Sequence, residues 1–398
     1  MTPTNYDESK VPAYTLPPLL IAKDGTEIKT AFDWVRKRRP EILQTLKDEV
    51  FGELPPRPDT FTKEVLSVKE DALDNTAIRK EIKLTFSHNG KSHSFVMLVY
   101  IPKNAPAPVP VFLGLNFKGN HGTTTEDDVI QTGWGLNGEL VEPERCVQAG
   151  RWCFAEAVVK RGYASATVCY HDIHPDDKET SSWRKSIYNL FYSEETDEQF
   201  HTHGGSISCW AWGLGRMLDA LENEPLIDTK RAMVHGHSRL GKTALWAGAT
   251  DPRFKLVISN DSGCCGAAIH RRLFGETIEV VCHYFPQWFT TALRKYICNE
   301  TKLPYDQHHL VALSAPRAVC IASATEDLWA DPKGEFLSGY HASEVYQLFG
   351  AQGMPTDTMP EAGEYVTGEV SYHLRVGKHD QTIFDWNHYL ELADKFVR

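Results

Sequence analysis

The sequence predicts an α/β fold, a mainly parallel, doubly wound sheet with long loop insertions. Three observations predict it. Short apolar runs alternate with amphipathic ones along most of the chain, as strands alternate with crossover helices. Some of those runs are continuously apolar, such as Phe95-Val96-Met97-Leu98-Val99-Tyr100-Ile101, which suits a strand covered on both faces. The stretch 231–249, RAMVHGHSRLGKTALWAGA, reads as strand, tight turn and helix.

Taken in order, residues 1–30 are Pro-rich and polar and are expected to wrap the surface. Trp34, Ile42, Leu43, Leu46 and Val50 recur at helical spacing. Gly52 and Pro55-Pro56 end that helix. Residues 64–86 and 94–101 are expected as strands around a turn at His88-Asn89-Gly90-Lys91. Val109 to Asn116 is the next strand, and it empties into Phe117-Lys118-Gly119-Asn120-His121-Gly122. That loop is either a plain connection or the source of a backbone donor to an oxyanion hole. Residues 123–150 look like an insertion.

A helix over 154–161 and a strand over 163–170 follow. Residues 171–199 form a polar excursion of the length usual for a lid or binding wall. Ile207, Trp210, Ala211, Leu214, Met217, Leu218 and Leu221 give a core helix, which leads into the central strand. Beyond it come a strand over 254–260, an aromatic-rich excursion over 261–304 and a strand over 317–324. A helix over 342–349, a strand over 369–376 and a closing helix over 383–396 complete one α/β domain over 1–398.

Composition narrows the function. The chain has 398 residues, 41% hydrophobic and 24% charged, enough for a sizeable core. A formal charge of −11 argues against a nucleic-acid partner, since phosphate binding needs a basic surface. No apolar run approaches membrane-spanning length, and the first residues carry no basic start followed by an apolar stretch. Nine cysteines (Cys146, Cys153, Cys169, Cys209, Cys264, Cys265, Cys282, Cys298 and Cys320) show no CxxC spacing. That argues against a zinc module, and buried free thiols are the expectation. His201, His203, His308 and His309 lack metal-ligand spacing and are expected to be solvated or hydrogen-bonded.

The central stretch carries the chemistry. Gly236-His237-Ser238-Arg239-Leu240-Gly241 has the layout of a nucleophile elbow. A Ser at the apex is held clear of its own backbone, and the helix N-terminus behind it favours developing negative charge. The same letters, Gly236-x-x-x-x-Gly241-Lys242-Thr243, satisfy a phosphate-loop pattern, and the next strand ends in Asp261, which suits magnesium. Chain order separates the two. A phosphate loop usually follows the first strand of its domain, whereas here core strands precede it. A hydrolase needs Ser, then an acid, then His, each at a strand end. Ser238, Asp327 and His379 meet that order.

At this depth the motifs resemble a known family. Gly236-His237-Ser238-Arg239-Leu240-Gly241-Lys242, Asn260-Asp261-Ser262-Gly263 with Gly266-Ala267-Ala268, Phe274-Gly275-Glu276-Thr277, Phe285-Pro286-Gln287-Trp288-Phe289 and Trp329-Ala330-Asp331-Pro332-Lys333-Gly334 are similar to the glucuronoyl esterases, carbohydrate esterase family 15. Asn116-Phe117-x-Gly119-Asn120-His121 is similar too. The likeness runs from about residue 30 onward. It is nearer the bacterial branch, because His237 stands where fungal members carry a disulfide-forming Cys.

The resemblance implies an α/β-hydrolase fold and cleavage of esters between 4-O-methyl-glucuronic acid on xylan and lignin alcohols, with no metal or cofactor. It implies Ser238 as nucleophile, His379 as base and Arg239 as oxyanion stabiliser. Lys242, Glu276, Trp329 and the neighbourhood of Gln287 are implied as uronate contacts. Without the resemblance, Lys242 reads as a solvated helix residue. Family members place the acid either where this chain has Asp261 or where it has Asp327. Asp327 is preferred because Asp261 is a methylene shorter than the family's Glu there. Glu326 ranks third. The expected enzyme is a monomer working outside the cytoplasm. An acetyl or feruloyl esterase, a phosphate-loop nucleotide binder and a non-catalytic carbohydrate-binding relic are the alternatives.

Overall fold

The computed structural model describes residues 2–106, 108–142, 144–146 and 154–398. One ten-stranded sheet organises them. Its strands are β1 (Thr60–Asp71), β2 (Ala77–His88), β3 (Lys91–Pro102), β4 (Val109–Asn116), β5 (Ala164–Cys169), β6 (Ile227–His237), β7 (Leu256–Asn260), β8 (Ala318–Ala324), β9 (Tyr365–Val366) and β10 (Val370–Arg375). The spatial order is β1-β2-β3-β5-β4-β6-β7-β8-β10-β9. From β5 through β10 the pairs are parallel, while β1 to β3 and the short β9 pair antiparallel at the edges.

Side-chain alternation explains why the central strands read as unbroken apolar runs. Val111, Leu113 and Leu115 of β4 and Val234 of β6 join a core under the helices Ser206–Leu221 and Arg239–Thr250, with Trp210 and Trp246. Phe112 and Met233, one residue out of phase, face a second core with Trp386 of the helix Ile383–Phe396. Both faces are covered, so apolar residues dominate both phases.

The sequence predicts one strand over 64–86, and the structure breaks it. Leu73, Asp74 and Asn75 take φ of 47°, 54° and 65°, reversing the chain between β1 and β2 without a glycine. The first long helix runs from Ala31 to Phe51 with two wider π turns and stops at Gly52, φ 77°. The helix expected over 342–349 starts earlier and spans Pro332–Leu348. Asp331 caps it by accepting from Gly334 N at 3.0 Å, and Pro332 opens its first turn.

The free-thiol expectation needs correction: Cys146 is disulfide-bonded. Cys169, Cys209, Cys264, Cys265 and Cys320 are free and buried, Cys282 is partly buried and Cys298 is exposed. Cys153 and the end of the 123–150 insertion lie outside the described residues. The N-terminal segment crosses the 270s, where the Asn5 carbonyl accepts from Gly275 N and Glu8 pairs with Arg272. Among the described residues no helix is long and apolar enough to cross a membrane.

Candidate active site

β6 ends at His237 and the helix Arg239–Thr250 begins one residue later. Ser238 makes the reversal alone, at φ 57° and ψ −128°. A residue with a Cβ holds such backbone only under constraint. Here Ser238 N–H donates to the Asn260 carbonyl and the Ser238 carbonyl accepts from Gly241 N, both at 2.8 Å. A Cβ at Gly236 would lie 1.9 Å from the Leu240 carbonyl oxygen, so the turn closes only over glycine.

Ser238, Arg239, Lys242, Asp261, Glu276, Trp288, Asp327, Trp329 and His379 line one cavity of about 280 Å³. These residues come from the turn after β6, the loops after β7, β8 and β10, and the 261–304 excursion. Parallel strands point their C-terminal ends the same way, so loops distant in sequence meet at one sheet edge.

Asp327, which follows β8, places Oδ2 2.6 Å from His379 Nδ1. The Asp327 side chain is buried, while the imidazole is 40% exposed. Asp261 follows β7 at φ 46° and lines the same cavity. Its Oδ2 accepts from Asp380 N at 3.4 Å and lies 3.6 Å from Arg375 Nη2. Burial, reinforced by the Asp327 and Glu335 carboxylates, pushes its carboxyl well above the ordinary range. Glu326 is exposed. The His237 ring lies 4.4 Å from that of His379, and burial depresses its pKa to about 3, so it is neutral.

Arg239 pairs through Nη1 with Asp176 of the 171–199 excursion, whose side chain is buried. Its guanidinium carbon sits 4.8 Å from the Trp288 ring centroid and 5.8 Å from that of Phe117. Its Nε is buried with no hydrogen-bond partner among the described residues. Asp176 also accepts from Gln287 Nε2 and Trp288 Nε1, each at 2.7 Å. The Arg239 guanidinium and these two donors hold the Asp176 carboxylate below its usual range despite burial. Gln287 is therefore turned away from the cavity toward Asp176, and its neighbour Trp288 takes the lining position. The indole is fixed there by stacking on Phe285, centroids 3.9 Å apart and planes at 3°.

Lys242 is not the solvated helix residue that its position alone suggests. Its Nζ donates to Glu276 Oε2 at 2.8 Å and to the Ser262 carbonyl at 2.6 Å, in a buried pair. A phosphate loop needs that ammonium free for the β- and γ-phosphates. The Trp329 carbonyl accepts from Glu276 N at 2.8 Å, tying the two lining residues together.

Sequence reasoning missed Asp176 and Glu335, and it reached Trp288 only as part of the neighbourhood of Gln287. Glu335, fully buried, accepts from Ser262 N, Ser262 Oγ and Gly263 N at 2.8–2.9 Å and from Ser323 Oγ at 2.6 Å. It thereby fixes the loop that carries Asp261. Only the length of the 171–199 excursion hinted at Asp176. The four histidines outside the cavity that the sequence singles out are hydrogen-bonded: His201 to Thr180 O, His203 to Glu195, His308 to Pro17 O and His309 to Arg38.

Comparison with known proteins places this geometry in context. The profile of the family described as "Glucuronyl esterase, fungi" matches residues 147–350. The chain is 43% identical to a carbohydrate esterase of an unknown prokaryotic organism, over 98% of this chain and 91% of that protein. It is 28% identical to 4-O-methyl-glucuronoyl methylesterase 1 of Phanerochaete chrysosporium, over 88% of this chain and 66% of that protein. A solved glucuronoyl esterase of Solibacter usitatus superposes with a TM-score of 0.91 at 42% identity, over 97% of this chain and 99% of that one.

Proposed function

The chain belongs to the glucuronoyl esterase family, carbohydrate esterase family 15, in its bacterial-type branch, and on that premise we propose that it hydrolyses esters of 4-O-methyl-glucuronic acid through a Ser238–His379–Asp327 triad. The observation that carries the triad is the 2.6 Å contact from Asp327 Oδ2 to His379 Nδ1 in the cavity that also contains Ser238. With Nδ1–H held by the carboxylate, Nε2 carries the lone pair that takes the Ser238 proton.

Ser238 Oγ attacks the ester carbonyl as its proton passes to His379 Nε2. The buried Asp327 carboxylate stabilises the imidazolium. The tetrahedral oxyanion forms beside the Arg239 guanidinium, which lines the same cavity as Ser238 and supplies a permanent positive charge. Collapse breaks the bond to the alcohol, which leaves with the proton from His379. Water then repeats the sequence on the acyl-enzyme and releases the uronic acid. Lys242, Glu276 and Trp329 line the cavity where the sugar sits: the ammonium and carboxylate suit ring hydroxyls, and the indole covers a ring face. Lignin–glucuronoxylan ester bonds are the natural target on this reading, and the enzyme acts as a monomer outside the cytoplasm.

The test is release of alcohol from a glucuronate ester. Ser238→Ala abolishes it with the protein still folded. Retained turnover would end the proposal. Acetylated xylan assayed beside the glucuronate ester separates this reading from an acetyl esterase of the same fold.

A further inference from the structure

Among the described residues, three groups bring together metal-ligating atoms of His, Cys or Asp within 4.8 Å of one another. Two of them need no metal. His237, Asp261 and His379 belong to the cavity described above, and His379 Nδ1 is taken by Asp327. In the group of Cys320, His373 and His388, the two Nδ1 atoms are 2.8 Å apart. Two nitrogens bound to one tetrahedral ion at about 2.0–2.1 Å stay roughly 3.3 Å apart. A hydrogen bond accounts for the shorter contact. His373 Nε2 donates to Asp385 Oδ1 at 2.8 Å, leaving its Nδ1 lone pair to accept from His388 Nδ1–H.

The third group is different, and we propose that Cys264, Cys265 and His270 bind one Zn(II) ion outside the esterase cavity. Cys264 Sγ lies 3.9 Å from Cys265 Sγ and 3.5 Å from His270 Nδ1. A tetrahedral zinc with Zn–S of about 2.3 Å and Zn–N of about 2.0–2.1 Å sets sulfur–sulfur near ~3.8 Å and sulfur–nitrogen near ~3.5 Å. Both of these spacings match, and the three ligand atoms all lie within 4.8 Å of one another.

Two further observations point to a ligand. His270 is buried, and its Nδ1 meets only the Cys264 sulfur. An imidazole buried with nothing better than a thiol forgoes the hydrogen bonds water would give it. A metal bond at Nδ1 offsets part of that loss. Cys265 holds φ at 56°, left-handed backbone that costs a non-glycine residue free energy. Adjacent side chains in extended backbone point to opposite faces, whereas here consecutive thiols converge.

Charge selects the ion. Binding releases one proton from each thiol to solvent, and two thiolates with one neutral imidazole balance Zn(II) to zero. A monovalent Cu(I) would leave a net negative charge in a fully buried site. The zinc would tie the loop after β7 to the segment leading to Glu276, thereby bracing Asp261, Gly263 and Glu276 in the cavity wall.

The test uses the full chain produced with zinc under reducing conditions and then freed of loose metal. Wild type, Ser238→Ala and Cys320→Ser each retain about one zinc per chain, while Cys264→Ser, Cys265→Ser and His270→Gln lose most of it. Zinc-edge absorption on the wild type reports two sulfur neighbours at about 2.3 Å and needs no variant to fold. Failure of reduced wild type to retain zinc, zinc with only nitrogen and oxygen neighbours, undiminished zinc in the cysteine variants, or uptake of Cu(I) but not Zn(II) would each overturn the assignment. Equal zinc in Ser238→Ala keeps this test separate from that of the esterase reading.

Discussion

The buried carboxylate of Asp327 meets His379 Nδ1 at 2.6 Å, whereas Asp261, in the same cavity wall, spends its Oδ2 on Asp380 N and the neighbourhood of Arg375. The two acids differ in state as well as position. Asp261 is driven toward its protonated form by burial and by the Asp327 charge. A neutral carboxyl cannot stabilise an imidazolium as a carboxylate does. Asp327→Asn is therefore expected to lower kcat on a glucuronate ester by on the order of 10³–10⁴, the cost of a wrong imidazole tautomer. Asp261→Asn should cost roughly tenfold or less, because the tautomer survives. Steady-state kinetics on both variants checks the order, and the reverse order would move the acid to β7.

Arg239 is held by Asp176 on one side and by the Trp288 ring on the other. Asp176→Asn removes the charge that anchors the guanidinium but leaves the amide able to accept from Gln287 and Trp288. Loss of an oxyanion donor costs about 2.7–4 kcal/mol of barrier, and Asp176→Asn should approach but not exceed the loss in Arg239→Met. Residues that act through one another are non-additive. The double variant should thus match Arg239→Met alone in kcat/KM. Additive losses would show that Asp176 acts elsewhere.

What was legible in the sequence depended on how far apart the interacting residues lie. The strand Val109–Asn116 and the helix Ile383–Phe396 appear at their predicted bounds, because the first is an apolar run that ends just before Gly119 and the second opens on the Thr382–Asp385 capping box. Ser238, Asp327 and His379 stood out because a parallel sheet delivers strand ends to one edge. The reversal at Leu73 was hidden, since it uses left-handed backbone without glycine or proline. The early start of the helix Pro332–Leu348 was signalled by Asp331-Pro332, but the apolar periodicity appears only later in that helix. Asp176 and Arg239 are 63 residues apart, and Ser262 and Glu335 are 73 apart. Nothing local marks such pairs. Gln287 was placed by its motif, yet its direction is decided by Asp176.

The elbow glycine carries a stability prediction. A Cβ at Gly236 would sit 1.9 Å from backbone oxygen, which no rotamer change relieves, whereas one at Gly241 would meet Asn260 O at 3.0 Å and the Ser262 side chain at 3.1 Å. Gly236→Ala should destabilise by about 3–5 kcal/mol, the range of severe steric substitutions, and Gly241→Ala by about 1–2 kcal/mol. Urea unfolding monitored by tryptophan fluorescence gives both values. Comparable losses would mean that the turn can open to admit a side chain at either end.

His174 couples pH to the segment that positions Arg239. It is buried two residues before Asp176, its Nδ1 donates to the Pro175 carbonyl at 2.8 Å, and burial depresses its pKa to about 4. In the unfolded chain the same imidazole titrates near ~6.5. Between those values the unfolded state binds a proton that the folded state refuses, so stability falls as the solution is acidified. The contribution is fully present above pH ~6.5, declines by up to ~1.4 kcal/mol per pH unit below it, and is exhausted near pH 4. In His174→Asn the proton uptake on unfolding at pH 5 should drop by about one per chain. Urea midpoints measured from pH 7 to pH 4.5 test this against wild type. A variant that keeps the full wild-type slope would show that this histidine is not the group taking up that proton.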